Sequence, residues 1–399
     1  MSDSVKIQTA RRSHAARPSL EAFLSLGFRP LYIAGCAWAL VSIAIWIFAP
    51  EWLTGQLTGV AWHAHEMLWG FVVTIAVGFL LTASATWTGH NPIQGKPLGW
   101  LLVLWIVARA GYLASPQWMF YVAIAAETLF FLVAAHSVMR VVLKAASRRN
   151  DGVPYLVAGL GVINLLFLLA AWQGDYAALI QRFNLGLICM AVIALLIGRR
   201  VIPFFANRRV DGLNLPMLTR SGQVQIGLGV LAILGGLTGQ YVLMGGILGI
   251  VGLMGLVQVY RWKPWAVLHN PMLWILYLGY ACLSAGLVVA ALHFVGLLTV
   301  TLDRPATFVH LIGMGGFGIL IIGMVTRTAL GHLGRPLALD ASMLASYVLV
   351  TVSVVCRLWA LFPSAMSAFA LQASAVTWML AMALYLWRFV PILIRPRAD

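Results

Sequence analysis

The chain has 399 residues, 62% of them hydrophobic and only 9% charged, with a mean hydropathy of +0.93. A soluble domain with so few charges would leave its surface without groups that water can solvate, so the composition excludes one and places the whole chain in a bilayer. The net charge of +15 does not indicate nucleic acid. Its basic residues fall in short clusters between apolar runs, no nucleic-acid-binding signature is present, and topology with anionic lipid headgroups accounts for them.

The first 19 residues are polar and basic and lack the apolar core of a signal peptide. Residues 1–30 read as a cytoplasmic tail. Apolar runs then occur near 31–49, 66–86, 98–113, 117–139, 153–172, 179–198, 223–239, 241–260, 271–296, 306–326, 341–361 and 366–387. About 20 apolar residues cross a hydrocarbon core of about 30 Å. Joined into one helix, 223–260 would run about 57 Å at about 1.5 Å per residue, too long for a single crossing, so two spans are predicted there. The fold class is therefore an all-α, polytopic transmembrane helix bundle of about twelve spans. The stretch 199–222, which begins RRVIPFFANRRVDG, divides the chain into a first six-helix half (31–198) and a second (223–387). Residues 388–399 form a C-terminal cytoplasmic tail.

Charge placement tests that count independently. With the N-terminus inside and each run crossing once, 22 of the 26 Lys and Arg fall on the inner side, the bias expected of cytoplasmic loops. Arg109, Arg182, Arg304 and Arg357 are the exceptions. Adding or dropping one span destroys the asymmetry, so both ends are predicted to be cytoplasmic.

Topology also sorts the histidines. His63 and His65 stand where the second span begins on the outer side, His293 one turn before the ninth span exits, and His310 one turn into the tenth. Four imidazoles from three helices thus share a depth. Imidazole suits copper, iron and zinc, and polar groups at this depth are costly unless partnered. The layer reads either as a metal or heme site or as helix-end histidines bonded to water and carbonyls. Glu66 is placed to orient a ligand, and Met67, Met314 and Met324 offer thioethers or simply pack. His90 and His332, each in a Gly-His step closing an inward-running span, are candidates for a second site or ordinary helix ends. A faint echo links His65, Gly70 and Gly89-His90 to His310, Gly315 and Gly331-His332. Glu127, near mid-membrane, has Arg109 on the preceding span as a buried partner. Cys36, Cys189, Cys282 and Cys356 stand alone in apolar runs, with neither disulfide nor metal spacing.

The segment WHAHEMLWGFVVTIAVGFLLTASATWTG at 62–89 resembles the NnrS family of bacterial membrane proteins. GFRPLY at 27–32, RRVIPFFANR at 199–208 and MVTRTALGHLGRP at 324–336 agree with it in order. The resemblance implies a heme- and copper-containing protein of the bacterial inner (cytoplasmic) membrane, tied to nitric oxide metabolism, denitrification and protection from nitrosative stress. It implies nitric oxide as the small-molecule ligand, with lipid around the bundle and no nucleic acid. His63, His65 and His332 lie in matching motifs, and His310 heads the run leading to the last. The alternatives are a twelve-span secondary transporter using Glu127 and Arg109, or a metal-free structural membrane subunit.

The topology is checked by reporter fusions after Pro50, Ala114 and Leu297, all expected to read as external. A cytoplasmic signal from any of the three means a miscounted span.

Overall fold

The computed structural model describes residues 17–145, 151–299 and 303–398. Most of the basic tail, residues 1–16 with Lys6, Arg11 and Arg12, lies outside the described residues, as do Arg148, Arg149 and Asp399. All regular structure among the described residues is helical, as a bilayer demands of a chain whose amides and carbonyls find no water.

A short α1 (Leu20–Phe23) leads into α2 (Phe28–Phe48). The second span is a composite of α3 (Gly59–His65), an eight-residue π-helical stretch π1 (Glu66–Val73) and α4 (Thr74–Thr88). Next come α5 (Lys96–Leu113), α6 (Gln117–Lys144), α7 (Gly152–Gln173), α8 (Tyr176–Arg209), α9 (Thr219–Leu237), α10 (Tyr241–Arg261) and α11 (Pro271–Val295). A second composite joins α12 (Pro305–His310), π2 (Leu311–Gly318) and α13 (Ile319–His332), and α14 (Ala341–Ala360) and α15 (Ser367–Leu393) complete the chain. Eleven of these spans are long and apolar enough to cross a membrane, making this a multi-pass membrane protein. The remaining helix, α9, carries Arg220, Gln223 and Gln225 near its start.

Contacts at both ends of α9 set it alongside its neighbours. Gln181 at the start of α8 donates to the Gly236 carbonyl at the end of α9 (2.9 Å). Trp262 at the end of α10 donates to the Pro216 carbonyl just before α9 (3.2 Å). So α9 runs between the same two faces as its neighbours, and twelve crossings bring both termini to one face. There the Ser19 amide meets the Ile394 carbonyl (2.9 Å) and the Ala398 amide the Leu333 carbonyl (3.0 Å).

The first and last spans pack together. Trp378 of α15 donates its indole N–H to the Ala39 carbonyl of α2 (3.1 Å). Arg29, only 3% exposed, donates Nη1 to the carbonyls of Leu393 (3.0 Å) and Arg395 (2.6 Å). These are carbonyls that a helix end leaves without an intrahelical donor.

One boundary differs from the sequence reading. The segment from Arg199 continues as helix to Arg209 despite Pro203. Burial of Arg199, Ile202, Pro203 and Ala206 outweighs the hydrogen bond that proline removes. The irregular connection begins only beyond Arg209, where the Asn207 side chain bonds both backbone groups of Leu215 (2.7 and 3.2 Å).

The two composite spans share one construction. His65 and π1 map onto His310 and π2 by a single shift of 245 residues (65 to 310, 66–73 to 311–318). The closing Gly-His steps do not keep that shift. Wide π turns recur at functional sites, and each is secured by different means. In π1 the Thr74 hydroxyl donates to the Trp69 carbonyl (3.0 Å) and accepts from the Trp105 indole (2.8 Å). In π2, glycine lets neighbours close in: a Cβ on Gly316 would lie 3.0 Å from Leu283, and one on Gly318 2.9 Å from Trp378.

Arg29→Ala should lower the melting temperature of the detergent-solubilised protein. It leaves helix-end carbonyls unpaired, a cost of about 1–3 kcal/mol. An unchanged melting temperature would show that the contact between chain ends contributes no stability.

Candidate functional site

Two polar centres flank the start of the second span, on opposite sides of it. On one side His65 is fully buried and both ring nitrogens are engaged. Nδ1 lies 2.8 Å from Glu66 Oε1, and Nε2 lies 3.0 Å from Asn164 Oδ1 and 3.1 Å from Glu127 Oε2. Arg109 forms an ion pair with Glu127 and places Nε 3.3 Å from Glu66 Oε2. Tyr112 donates to Glu127 (2.8 Å) and Trp38 to Glu66 (2.5 Å). Gly70 makes room, because a Cβ there would sit 2.6 Å from the Arg109 guanidinium and 2.7 Å from the Glu66 carboxylate. Two carboxylates face one guanidinium and one imidazole, and carboxylates accept hydrogen bonds but do not donate them when ionised. The cluster is neutral when the ring donates from both nitrogens, which suits its burial. The aromatic rings of Trp69, Tyr112 and Phe167 enclose His65 at centroid distances of 5.4, 4.9 and 5.6 Å.

On the other side His63 and Met67, one helical turn apart, line a cavity of about 360 Å³ together with His310, Met314 and Arg357. Its walls are otherwise mostly apolar, with Trp46, Phe183, Phe317 and Trp378 among them. The volume lies within the usual range for small-molecule sites. The ring centroids of His63 and His310 are 6.4 Å apart with planes inclined by 21°. Trp46 stacks on His63 at 5.1 Å and 9°. His310 donates Nδ1–H to the Ala306 carbonyl (2.7 Å), which fixes the tautomer and leaves Nε2 with a free lone pair. Nδ1 of His63 is buried without a partner. Among the described residues the Arg357 guanidinium has neither an acceptor nor a carboxylate partner. Val60 (61% exposed) and Tyr176 (62% exposed) also line the cavity, so it opens at the end of the bundle where α3 and α8 begin.

This arrangement separates the four histidines expected in one layer. His63 and His310 face each other, whereas His65 points into the ionic cluster. His293 pairs with Asp303 and lies against Phe294 and Phe308, away from the cavity lining. Residues two apart on a helix point to different sides, and α3 is regular helix through both His63 and His65. Among the described residues no three His, Cys, Asp or Glu side chains are grouped to hold a metal ion. Glu66 and Met67 likewise part company, the first to the cluster and the second to the cavity. Of the inner pair, His332 packs on the Phe28 ring at 5.6 Å. The His90 amide bonds to Thr88 Oγ1 (3.2 Å) in a turn begun by Gly89 at φ +72°. Met324 does not line this cavity. Arg357, Asn164, Tyr112 and Trp38 were not singled out by the sequence. Arg357 alone carried a signal, as a basic residue on the outer side.

Removing Glu127 with alanine takes away an acceptor shared by Arg109, His65 and Tyr112. Breaking a buried pair in this way costs about 3–5 kcal/mol, and Glu127→Gln, which keeps an acceptor, should cost less. Thermal unfolding in detergent reads both, and a Glu127→Ala protein as stable as wild type would show that the cluster does not hold the bundle together.

The family model described as NnrS protein matches residues 22–397. No curated protein matches the chain.

Proposed function

The chain belongs to the NnrS family, and on that premise we propose that it is a heme- and copper-binding protein of the bacterial inner membrane that handles nitric oxide or relieves its effects. The observation that carries this reading is the pair His63 and His310 facing each other across an apolar cavity. The two rings lie 6.4 Å apart between centroids, and His63 and His310 are the residues that would hold a metal there. The donor set fits the cofactors. Imidazole ligates both heme iron and copper, Met67 and Met314 supply thioethers suited to copper, and Arg357 is an unpaired cation for a heme carboxylate.

When bound there, iron or copper would supply a redox centre able to coordinate a diatomic ligand. The protein's own part is positioning and exclusion. Trp46 holds the His63 plane and Ala306 the His310 tautomer. The ionic cluster fixes His65, two residues from His63, and so sets the direction in which His63 points. The apolar walls keep water out, a condition that tunes redox potential. Nitric oxide is small and uncharged and concentrates in bilayers, so a site buried within the bundle meets it where it accumulates. The cytoplasmic placement of both chain ends belongs to the same proposal.

The test is an absorption spectrum with heme and copper analysis of purified protein. Wild type should show a Soret band and bound copper. His63→Ala and His310→Ala should lose or shift them while still inserting, and His293→Ala should retain them. Unchanged spectra and metal content in the first two variants would overturn the assignment.

A further inference from the structure

Beside the histidine cavity an apolar groove runs toward the face of the bundle that holds both termini. α8 contributes Ala194, Val201 and Ile202 to its lining, and α13 contributes Leu320, Ile321 and Met324. Several lining residues, Ala76, Val201 and Met324 among them, are only half-buried, so the groove is open to the bilayer. Met190 also lines it. From Met190 to Ile202, α8 rises about 18 Å at about 1.5 Å per residue, close to the hydrocarbon depth of one leaflet, about 15 Å.

One turn nearer that face, the same two helices bring charge onto aromatic rings. Phe205 follows Val201 and Ile202 by one turn on α8, and Arg327 follows Met324 by one turn on α13. The Arg327 guanidinium lies 3.8 Å from the Phe205 ring centroid. Arg208 stands over Phe204 at 4.5 Å, and the two phenyl rings are 5.5 Å apart. Arg327 is only 7% exposed, and its Nε is buried without a hydrogen-bond partner. Among the described residues no carboxylate or carbonyl pairs with it. A buried cation without an acceptor is costly, and a guanidinium binds phosphate through two parallel N–H bonds. Both arginines lie within the last two turns of their helices, the level of lipid headgroups, where basic pockets between helices take anionic lipids. The chemistry that completes this place is an anion joined to a hydrocarbon chain.

We propose that the groove binds one anionic phospholipid, with its phosphate on Arg327 and Arg208 and one acyl chain along α8 and α13. This inference does not depend on the reading of the histidine cavity.

Native mass spectrometry of the detergent-purified full chain tests it, using phosphatidylglycerol and phosphatidylcholine with identical dioleoyl chains. Wild type should retain one phosphatidylglycerol severalfold better than phosphatidylcholine. Arg327→Gln should abolish that preference, and Arg327→Lys should restore part of it. Arg208→Gln, at an exposed position, reads the same preference should Arg327→Gln fail to fold. Ala76→Leu and Val201→Phe, both at half-buried positions, should reduce retention of both lipids severalfold. Millimolar inorganic phosphate should leave the bound lipid in place. An unaltered preference in the arginine variants overturns the headgroup site, and unaltered retention in both groove variants overturns the groove. Displacement of the lipid by inorganic phosphate overturns the lipid as the source of the anion. Loss of heme without loss of lipid from Arg327→Gln also overturns the proposal and gives this arginine to a heme carboxylate.

Discussion

Charge neutrality inside the bilayer is the constraint on which the arrangement depends. Glu66, Glu127, Arg109 and His65 are each at most 3% exposed, and none is tolerable there alone. Their mutual satisfaction draws four helices onto the second span. α2 contributes Trp38, α5 contributes Arg109 and Tyr112, α6 contributes Glu127, and α7 contributes Asn164. Once Glu66 and His65 are committed to that side, His63 and Met67 have only the other side to face. The direction of the cavity's donors is set by the anchoring of residues that never touch it.

The two composite spans show one scaffold put to two uses. His65 and His310 occupy equivalent positions, each the last residue before a π stretch. The next residue in each span decides their roles. Glu66 supplies a carboxylate that captures its neighbouring imidazole, whereas Leu311 supplies none. His310 therefore settles for a backbone carbonyl on one nitrogen and presents the other to the cavity. A single polar-to-apolar difference at corresponding positions separates a structural histidine from a free one.

Much of the fold was legible in the sequence because hydropathy and loop charge are properties of whole segments. The split between α9 and α10 came from length, since no single crossing accommodates 223–260, and from loop charge, whose bias a miscounted span would destroy. The site was only partly legible. Depth could be read from distance to a span end, and it grouped His63 with His310, which the structure sets face to face. Direction could not, because an apolar run carries no periodic marker of which side of the helix meets the bundle's polar cluster and which its cavity. Asn164, Tyr112 and Trp38 were hidden for a related reason, as each is one polar group in a run whose remaining residues are apolar. Arg109 and Glu127 stood out because charge is rare in such runs, and the structure brings them together.

The contact of Arg29 with the carbonyls of Leu393 and Arg395 joins parts of the chain made far apart in time. Ribosomes add about 5–20 residues per second, so Arg29 waits roughly 20–70 s for its acceptors. During that interval α2 lacks the helix it packs against, and an arginine destined for burial must stay at the headgroups or borrow other partners. Assembly of this bundle is therefore a ring closed by its final segment rather than a row of helices docked in order. The face of α2 that meets α15 is therefore the last part of the core to be covered.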